Sequence, residues 1–153
     1  MIQQIKNIKI VRTTLLTLIE DLTTEQLNKI PEGFNNNIIW NVAHLTAAQQ
    51  GLCYKRAALQ PVVQEKYLSP YLPGTKPEHF VDAAEIETIK ILLLSTIDEL
   101  ESDYKKSFFT NYTAFTTRYG VEISSIDDAI HFLPFHEGLH SGAIMALKKL
   151  VQK

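Results

Sequence analysis

Apolar residues recur every three or four positions through most of this chain, a period that predicts helix rather than strand. Over residues 2–22, Ile5, Ile8, Val11, Leu15, Leu18, Ile19 and Leu22 fall on one arc of a helical projection. That arc predicts an amphipathic first helix with its other side in water. Thr23 or Thr24 can cap a short turn from Glu25 to Ile30, which Pro31 ends. After a polar connection from Glu32 to Asn37, Asn36 or Asn37 suits the N-cap of a second long helix, about residues 38–59, stopped by Pro61. Its main stripe is Ile38, Val42, Leu45 and Leu52, and a second face carries Trp40, His44, Ala47, Ala48 and Gly51. Small residues on that second face admit a closely packed helix or leave room for a ligand.

A third helix is predicted over residues 81–106, with Ile86, Ile89, Leu93, Ile97, Leu100 and Tyr104 inward and an acidic outer face. The fourth begins at Ser124 or Ser125, with Asp127 and Asp128 in its first turn, and runs to Val151. Pro134 is expected to kink it. Two connections lack the helical period. Residues 61–77 hold Pro61, Pro70, Pro73, Gly74 and Pro77 around Tyr67 and Tyr71, which reads as a long irregular loop. Such a loop is either a lid or binding segment or a surface excursion. Residues 107–124 interleave Phe108, Phe109, Tyr112, Phe115 and Tyr119 with threonines, as an ordered loop or a short hairpin. The pattern as a whole predicts an all-α fold, a four-helix bundle formed by one domain over residues 1–153. Its long connections argue against up-down-up-down hairpins throughout.

Composition adds mostly exclusions. A chain of 153 residues with 45% hydrophobic content can bury a sizeable core. A net charge of -2, with no basic cluster longer than a pair, gives no support for nucleic acid or an acidic membrane surface as partner. The single cysteine, Cys53, excludes an internal disulfide and fits a reducing compartment. Met1-Ile2-Gln3-Gln4-Ile5-Lys6 alternates polar and apolar residues, unlike a signal peptide, and no run approaches the roughly 18 apolar residues of a membrane span. The expectation is a cytoplasmic protein.

The chemistry is concentrated in His136-Glu137-Gly138-Leu139-His140. Two histidines four residues apart project from one face of a helix. They fall in the middle of an apolar stripe formed by Ile126, Ala129, Leu133, Ala143, Ile144, Leu147 and Leu150. Unpaired imidazoles at a core centre are costly, so a metal ion is the leading candidate to satisfy them, ahead of ordinary core hydrogen bonds. His44, on the small-residue face of the second helix, is the natural third ligand. Imidazoles suit zinc, nickel, copper or iron, and three protein ligands leave positions open for water or substrate. His131 and Cys53 each lie nine residues from a candidate ligand and point away, while His79 reads as surface. No Asp or Glu has a clear claim on the site.

The same letters spell the H-E-x-x-H of zinc proteases, in which the glutamate is the general base. The extension some of those enzymes need meets Ala143 and Ala146, and Ser141 to Lys153 contains no Asp or Glu. A third ligand must therefore come from upstream, which disfavours a protease. Glu137 lies near the stripe's edge and reads as a solvated residue rather than a contact to a ligand.

Asn41-Val42-Ala43-His44-Leu45, together with His136-Glu137-Gly138-Leu139-His140-Ser141-Gly142-Ala143-Ile144, resembles the DinB/YfiT-like superfamily of metal-dependent proteins. The resemblance implies an up-down-down-up four-helix bundle with a divalent metal on His44, His136 and His140. Nickel or zinc come first as the ion, then iron or manganese. It implies a small-molecule substrate and a transferase that joins a low-molecular-weight thiol, such as bacillithiol or mycothiol, to an electrophile. Hydrolases and isomerases also occur in the family, homodimers are common, and the family's name implies no DNA binding. A non-catalytic metal-binding or stress-response bundle is the alternative. Many members carry H-R-G-Q where this chain has His140-Ser141-Gly142-Ala143, so substrate contacts made by that Arg and Gln have no counterpart here.

Overall fold

In the computed structural model, which describes residues 1–153, most of the chain is helical and each strand is only two residues long. The helices are α1 (Ile2–Ile19), the short α2 (Thr24–Asn28), α3 (Ile38–Gln49), α4 (Ala83–Lys105) and α5 (Ile126–Val151). Side chains fix most of their starts. Asn37 accepts from the Trp40 amide at 2.9 Å, Asp82 from Glu85 at 2.9 Å and Ser125 from Asp128 at 3.1 Å. Each such cap contributes about 1 kcal/mol. α5 continues through Pro134, whose ring removes one bond to the Ile130 carbonyl without ending the helix.

Two helices are shorter than their apolar periods imply. α1 stops at Ile19 because Thr23 must be extended to form a reciprocal capping box with Gln26. α3 leaves α geometry after Gln49, continuing as a π turn (Gln50–Tyr54) and a 3-10 turn (Lys55–Ala57). An apolar period alone does not separate those turns from an α-helix.

α1 packs on α4 and α5, and α3 packs on the same two helices. The bonded pairs give their directions. Lys9 meets Asp98 and Arg12 meets the Leu93 carbonyl, so α1 and α4 run oppositely. Arg12 meets Glu137 and Lys148 meets the Leu18 carbonyl, so α1 and α5 run together. Gln49 meets the Thr96 carbonyl and Tyr54 meets Asp103, so the chain from α3 into its π turn runs with α4. His44 meets His136 and Asn41 meets His140, so α3 runs against α5.

The core divides into two apolar clusters. One gathers Leu15, Ile19, Ile38, Leu45, Leu93, Ile144 and Leu147; the other gathers Ile5, Ile8, Cys53, Ile97, Leu100, Ile130 and Leu133. Between them along the helices lies a polar layer of Arg12, Gln49, Thr96, His136 and Glu137, all buried. The buried row of α1 is Ile5, Ile8, Arg12, Leu15 and Ile19, while Val11 is 42% exposed. The inward arc of α1 therefore runs through Arg12 rather than Val11. α3 is buried along its whole length, on the polar face as well as the apolar one.

The proline-rich connection carries two 3-10 turns, Glu65–Tyr67 and Ser69–Tyr71, and buries Tyr67, Leu68 and Tyr71 in the first cluster. The aromatic connection forms a small antiparallel hairpin of β1 (Phe115–Thr116) and β2 (Glu122–Ile123), with Phe115 opposite Ile123. Gly120 turns it with φ of 77°. No helix is long and apolar enough to cross a membrane.

Candidate metal centre

α3 and α5 run antiparallel, so a histidine on one faces a histidine pair, one turn apart, on the other. His44, His136 and His140 come together with one candidate ligand atom from each inside a 4.8 Å sphere of mutual distance. The Nε2 atoms of His44 and His136 are 3.3 Å apart. Ring centroids in the three pairs are 5.1, 4.5 and 4.6 Å apart. His44 and His136 are buried and His140 is half-buried.

Hydrogen bonds behind the rings set two of the tautomers. His44 Nδ1 donates to the Tyr71 carbonyl at 2.6 Å, and a carbonyl can only accept. Its proton is therefore on Nδ1 and its Nε2 carries a lone pair. His140 Nδ1 lies 2.8 Å from Asn41 Oδ1. The Asn41 amide nitrogen donates to Asn36 Oδ1 at 3.0 Å and to the Asn37 carbonyl at 2.7 Å, which fixes Oδ1 as the acceptor. Two lone pairs thus converge on one point. Trp40 stacks on His44 with centroids 4.8 Å apart and planes 10° apart, and its Nε1 donates to the Pro70 carbonyl at 3.2 Å. The proline-rich connection therefore fixes both rings through backbone carbonyls.

The three rings are held neutral. Burial pushes His136 down to about 3, helped by His140, His44, Arg12 and Arg118. Burial, with His44 and Arg118, pushes His140 down to about 4. Burial also lowers His44, with the Tyr71 hydrogen bond acting against it and Arg118 adding to it. Neutral imidazoles are the form that binds metals.

The donor set fits a divalent ion. Ligands about 2.0–2.1 Å from a tetrahedral centre lie roughly 3.3–3.4 Å apart, close to the separation of the His44 and His136 nitrogens. Buried His136 Nδ1 has no hydrogen-bond partner, and its Nε2 faces the bare Nε2 of His44 at 3.3 Å, where an ion would take the place of a proton shared between the two. An ion bound there would move the His136 proton to Nδ1, and all three rings would then present bare Nε2 atoms. Backbone or amide oxygens behind ligand rings are the usual supports of such sites.

The other candidates stay apart. His79 and His131 are exposed, and Cys53 is fully buried in the second apolar cluster, where burial pushes its thiol up to about 12. Glu137 departs from the edge position its place in the stripe suggests. It is 1% exposed, and its Oε1 accepts from Arg12 Nε at 3.0 Å and Nη2 at 2.7 Å. Arg12 further donates to Gln49 Oε1 at 3.2 Å, the Leu93 carbonyl at 2.8 Å and the Leu45 carbonyl at 3.1 Å. One guanidinium thereby bonds α3, α4 and α5 from its seat on α1, beside His136. The signal for it is in the sequence: residue 12 continues the spacing of Ile5, Ile8, Leu15 and Ile19.

The site opens into a cavity of about 830 Å³ lined by Trp40, Ala47 and Ala48 of α3, Gly51 of the π turn and Phe132 of α5. Leu72–Thr75 and residues 115–119 of the hairpin close its sides. The small residues Ala47, Ala48 and Gly51 thus leave space for a ligand rather than for another helix.

No curated protein matches the chain. A family model described as the DinB superfamily matches residues 7–144, a span that contains all three histidines. That span takes in the Asn41–His140 pairing, all of α3 and α4 and most of α1 and α5, and the chain belongs to the DinB superfamily.

Proposed function

We propose that this protein is a metal-dependent enzyme that holds a divalent ion, nickel or zinc first, then iron or manganese, on His44, His136 and His140. Its reaction is the transfer of a low-molecular-weight thiol to an electrophilic small molecule. The reading takes the four long helices as an up-down-down-up bundle, which is supported by the directions of their bonded pairs. The observation that carries it is the convergence of three neutral imidazoles on the floor of an 830 Å³ cavity.

A divalent ion there supplies positive charge that favours a thiolate over a thiol, and three neutral ligands leave that charge undiminished. The chain's own residues do the rest. Tyr71 and Asn41 keep the Nδ1 protons of His44 and His140 away from the cavity, so their Nε2 lone pairs face it. Trp40 fixes the His44 plane and gives the cavity a flat apolar wall. The Arg12–Glu137 pair holds the turn of α5 that bears His136 against α1. A structural metal normally has four protein ligands and no adjoining cavity, which weighs against the non-catalytic alternative.

The test is a screen of zinc- and nickel-loaded protein with bacillithiol, mycothiol and glutathione against a chlorinated aromatic electrophile. The expected result is metal-dependent thioether formation that His44→Ala abolishes. Turnover unchanged in a His44→Ala protein that has lost its metal would sink the proposal.

A further inference from the structure

The cavity before the three histidines carries charge of one sign. Lys55, Arg56 and Arg118 line it, and none of the chain's 17 Asp and Glu residues does, although the molecule as a whole is at -2. None of the three cations forms an ion pair; the salt bridges use Lys9, Arg12, Lys90, Lys105, Lys106 and Lys148. Aromatic rings hold the two arginines instead. The Arg56 guanidinium lies over Phe115, 4.0 Å from its centroid. That of Arg118 lies 4.9 Å from the Tyr119 centroid and donates to the Tyr119 hydroxyl at 2.7 Å. Stacking occupies the face of a guanidinium and leaves N–H groups along its edge for an oxyanion.

The two arginines come from distant segments that are bonded together. Arg56 sits in the 3-10 turn after the π turn, Arg118 in the hairpin, and the Thr113 amide donates to the Arg56 carbonyl at 2.7 Å. Hydroxyl-bearing Thr113, Thr116 and Thr117 line the same side, while Trp40 and Phe132 give apolar walls next to the histidines. A cleft walled by low-dielectric groups and lined by one sign of charge concentrates ligands of the opposite sign.

We infer that the cavity takes a substrate carrying an oxyanion, a carboxylate or a phosphate, which docks on Arg118 and Arg56. Its apolar body lies along Trp40 and Phe132, and its reacting end reaches the three histidines. The last clause rests on the proposed role of those histidines; the oxyanion site does not.

Trp40 is the chain's one tryptophan and lines this cavity, so its fluorescence serves as the probe, and the arginine variants assign the response to this site. Phenylacetate, phenyl phosphate and the neutral phenylacetamide are titrated into zinc-loaded and chelator-treated protein. Both oxyanions should bind saturably in either form and more weakly as salt rises, with the amide at least about tenfold weaker. The tighter oxyanion distinguishes a carboxylate from a phosphate substrate. The double variant Arg56→Met/Arg118→Met should lose about tenfold or more for the oxyanions, with amide binding and zinc content unchanged. Three results overturn the inference: no oxyanion binding, amide and acid binding alike, or zinc-dependent acid binding that ignores the arginines. Failure of the wild type to bind zinc would count against the metal reading instead, and the chelator-treated titrations would still decide this one.

Discussion

Arg12→Met is expected to be among the most damaging single substitutions in this chain, and Arg12→Met/Glu137→Met among the least damaging double ones. The geometry sets the asymmetry. Removing the guanidinium takes away both bonds to Glu137 Oε1, and Glu137 Oε2 has no partner to begin with. The carboxylate is then buried and wholly unpaired. The other acceptors lose less, since Gln49 Oε1 keeps its bond from Thr96. Breaking a buried pair in this way costs about 3–5 kcal/mol, a large share of the roughly 5–15 kcal/mol that holds a domain of this size together. Glu137→Met should cost less than Arg12→Met, because Arg12 keeps its bonds to Gln49, Leu93 and Leu45. With both charges gone and methionines filling the space, the double variant should fall within about 1 kcal/mol of wild type or exceed it. Urea unfolding of chelator-treated protein, followed by circular dichroism, reads all four corners of the cycle without a contribution from metal binding. An Arg12→Met cost under about 1 kcal/mol, or a double variant as unstable as Arg12→Met, would refute the argument that this pair is a buried, mutually dependent unit.

Three further outcomes follow from the same geometry. Asn41→Leu removes the acceptor behind His140 and should weaken zinc binding about 10–100-fold, while Asn41→Asp, which keeps an acceptor, should retain it; competition with a chromogenic chelator measures both. Chelator-treated protein should lose stability as pH falls below about 6.5, where imidazoles of the unfolded chain take up protons. In the folded chain His140 and His136 do so only at about 4 and about 3, so the unfolded state binds more protons throughout that window and the melting temperature drops with pH. A melting temperature flat from pH 7 to pH 4 would contradict the neutral, buried state of the rings. Cys53, fully buried with its thiol pushed up to about 12, should ignore a thiol reagent in the native protein and react on unfolding in urea; native reactivity would show that the second core cluster opens readily.

The long helices and the histidine triad were legible because both depend on regular spacing. Asn37 and Ser125 announced two starts, and His136 and His140 could share a face only if their segment was helical. What stayed hidden depends on contacts without a local pattern. The Tyr71 carbonyl that orients His44 is a backbone atom, and no residue type advertises it. Glu137 looked solvated because a charge at a stripe's edge normally is, and its burial follows only once Arg12 is seen in the inward row of α1. Val11 and Arg12 are adjacent, and an arc drawn through the apolar one is rotated by one position from the buried row. The π turn after Gln49 and the two-residue strands of the hairpin are set by what they pack against rather than by their own sequence. The oxyanion-docking arginines belong to the same group, since only the folded chain brings Arg56 and Arg118 to one cavity.

The proposed chemistry stands on a divalent ion held by His44, His136 and His140. Elemental analysis of the purified protein after dialysis against zinc or nickel, alongside His44→Ala, His136→Ala and His140→Ala variants that retain their helical circular dichroism, tests it most directly. One metal ion per wild-type chain is expected, with its loss from each variant. A wild-type chain that takes up neither ion in stoichiometric amount, or variants that bind metal as fully as wild type, would contradict it.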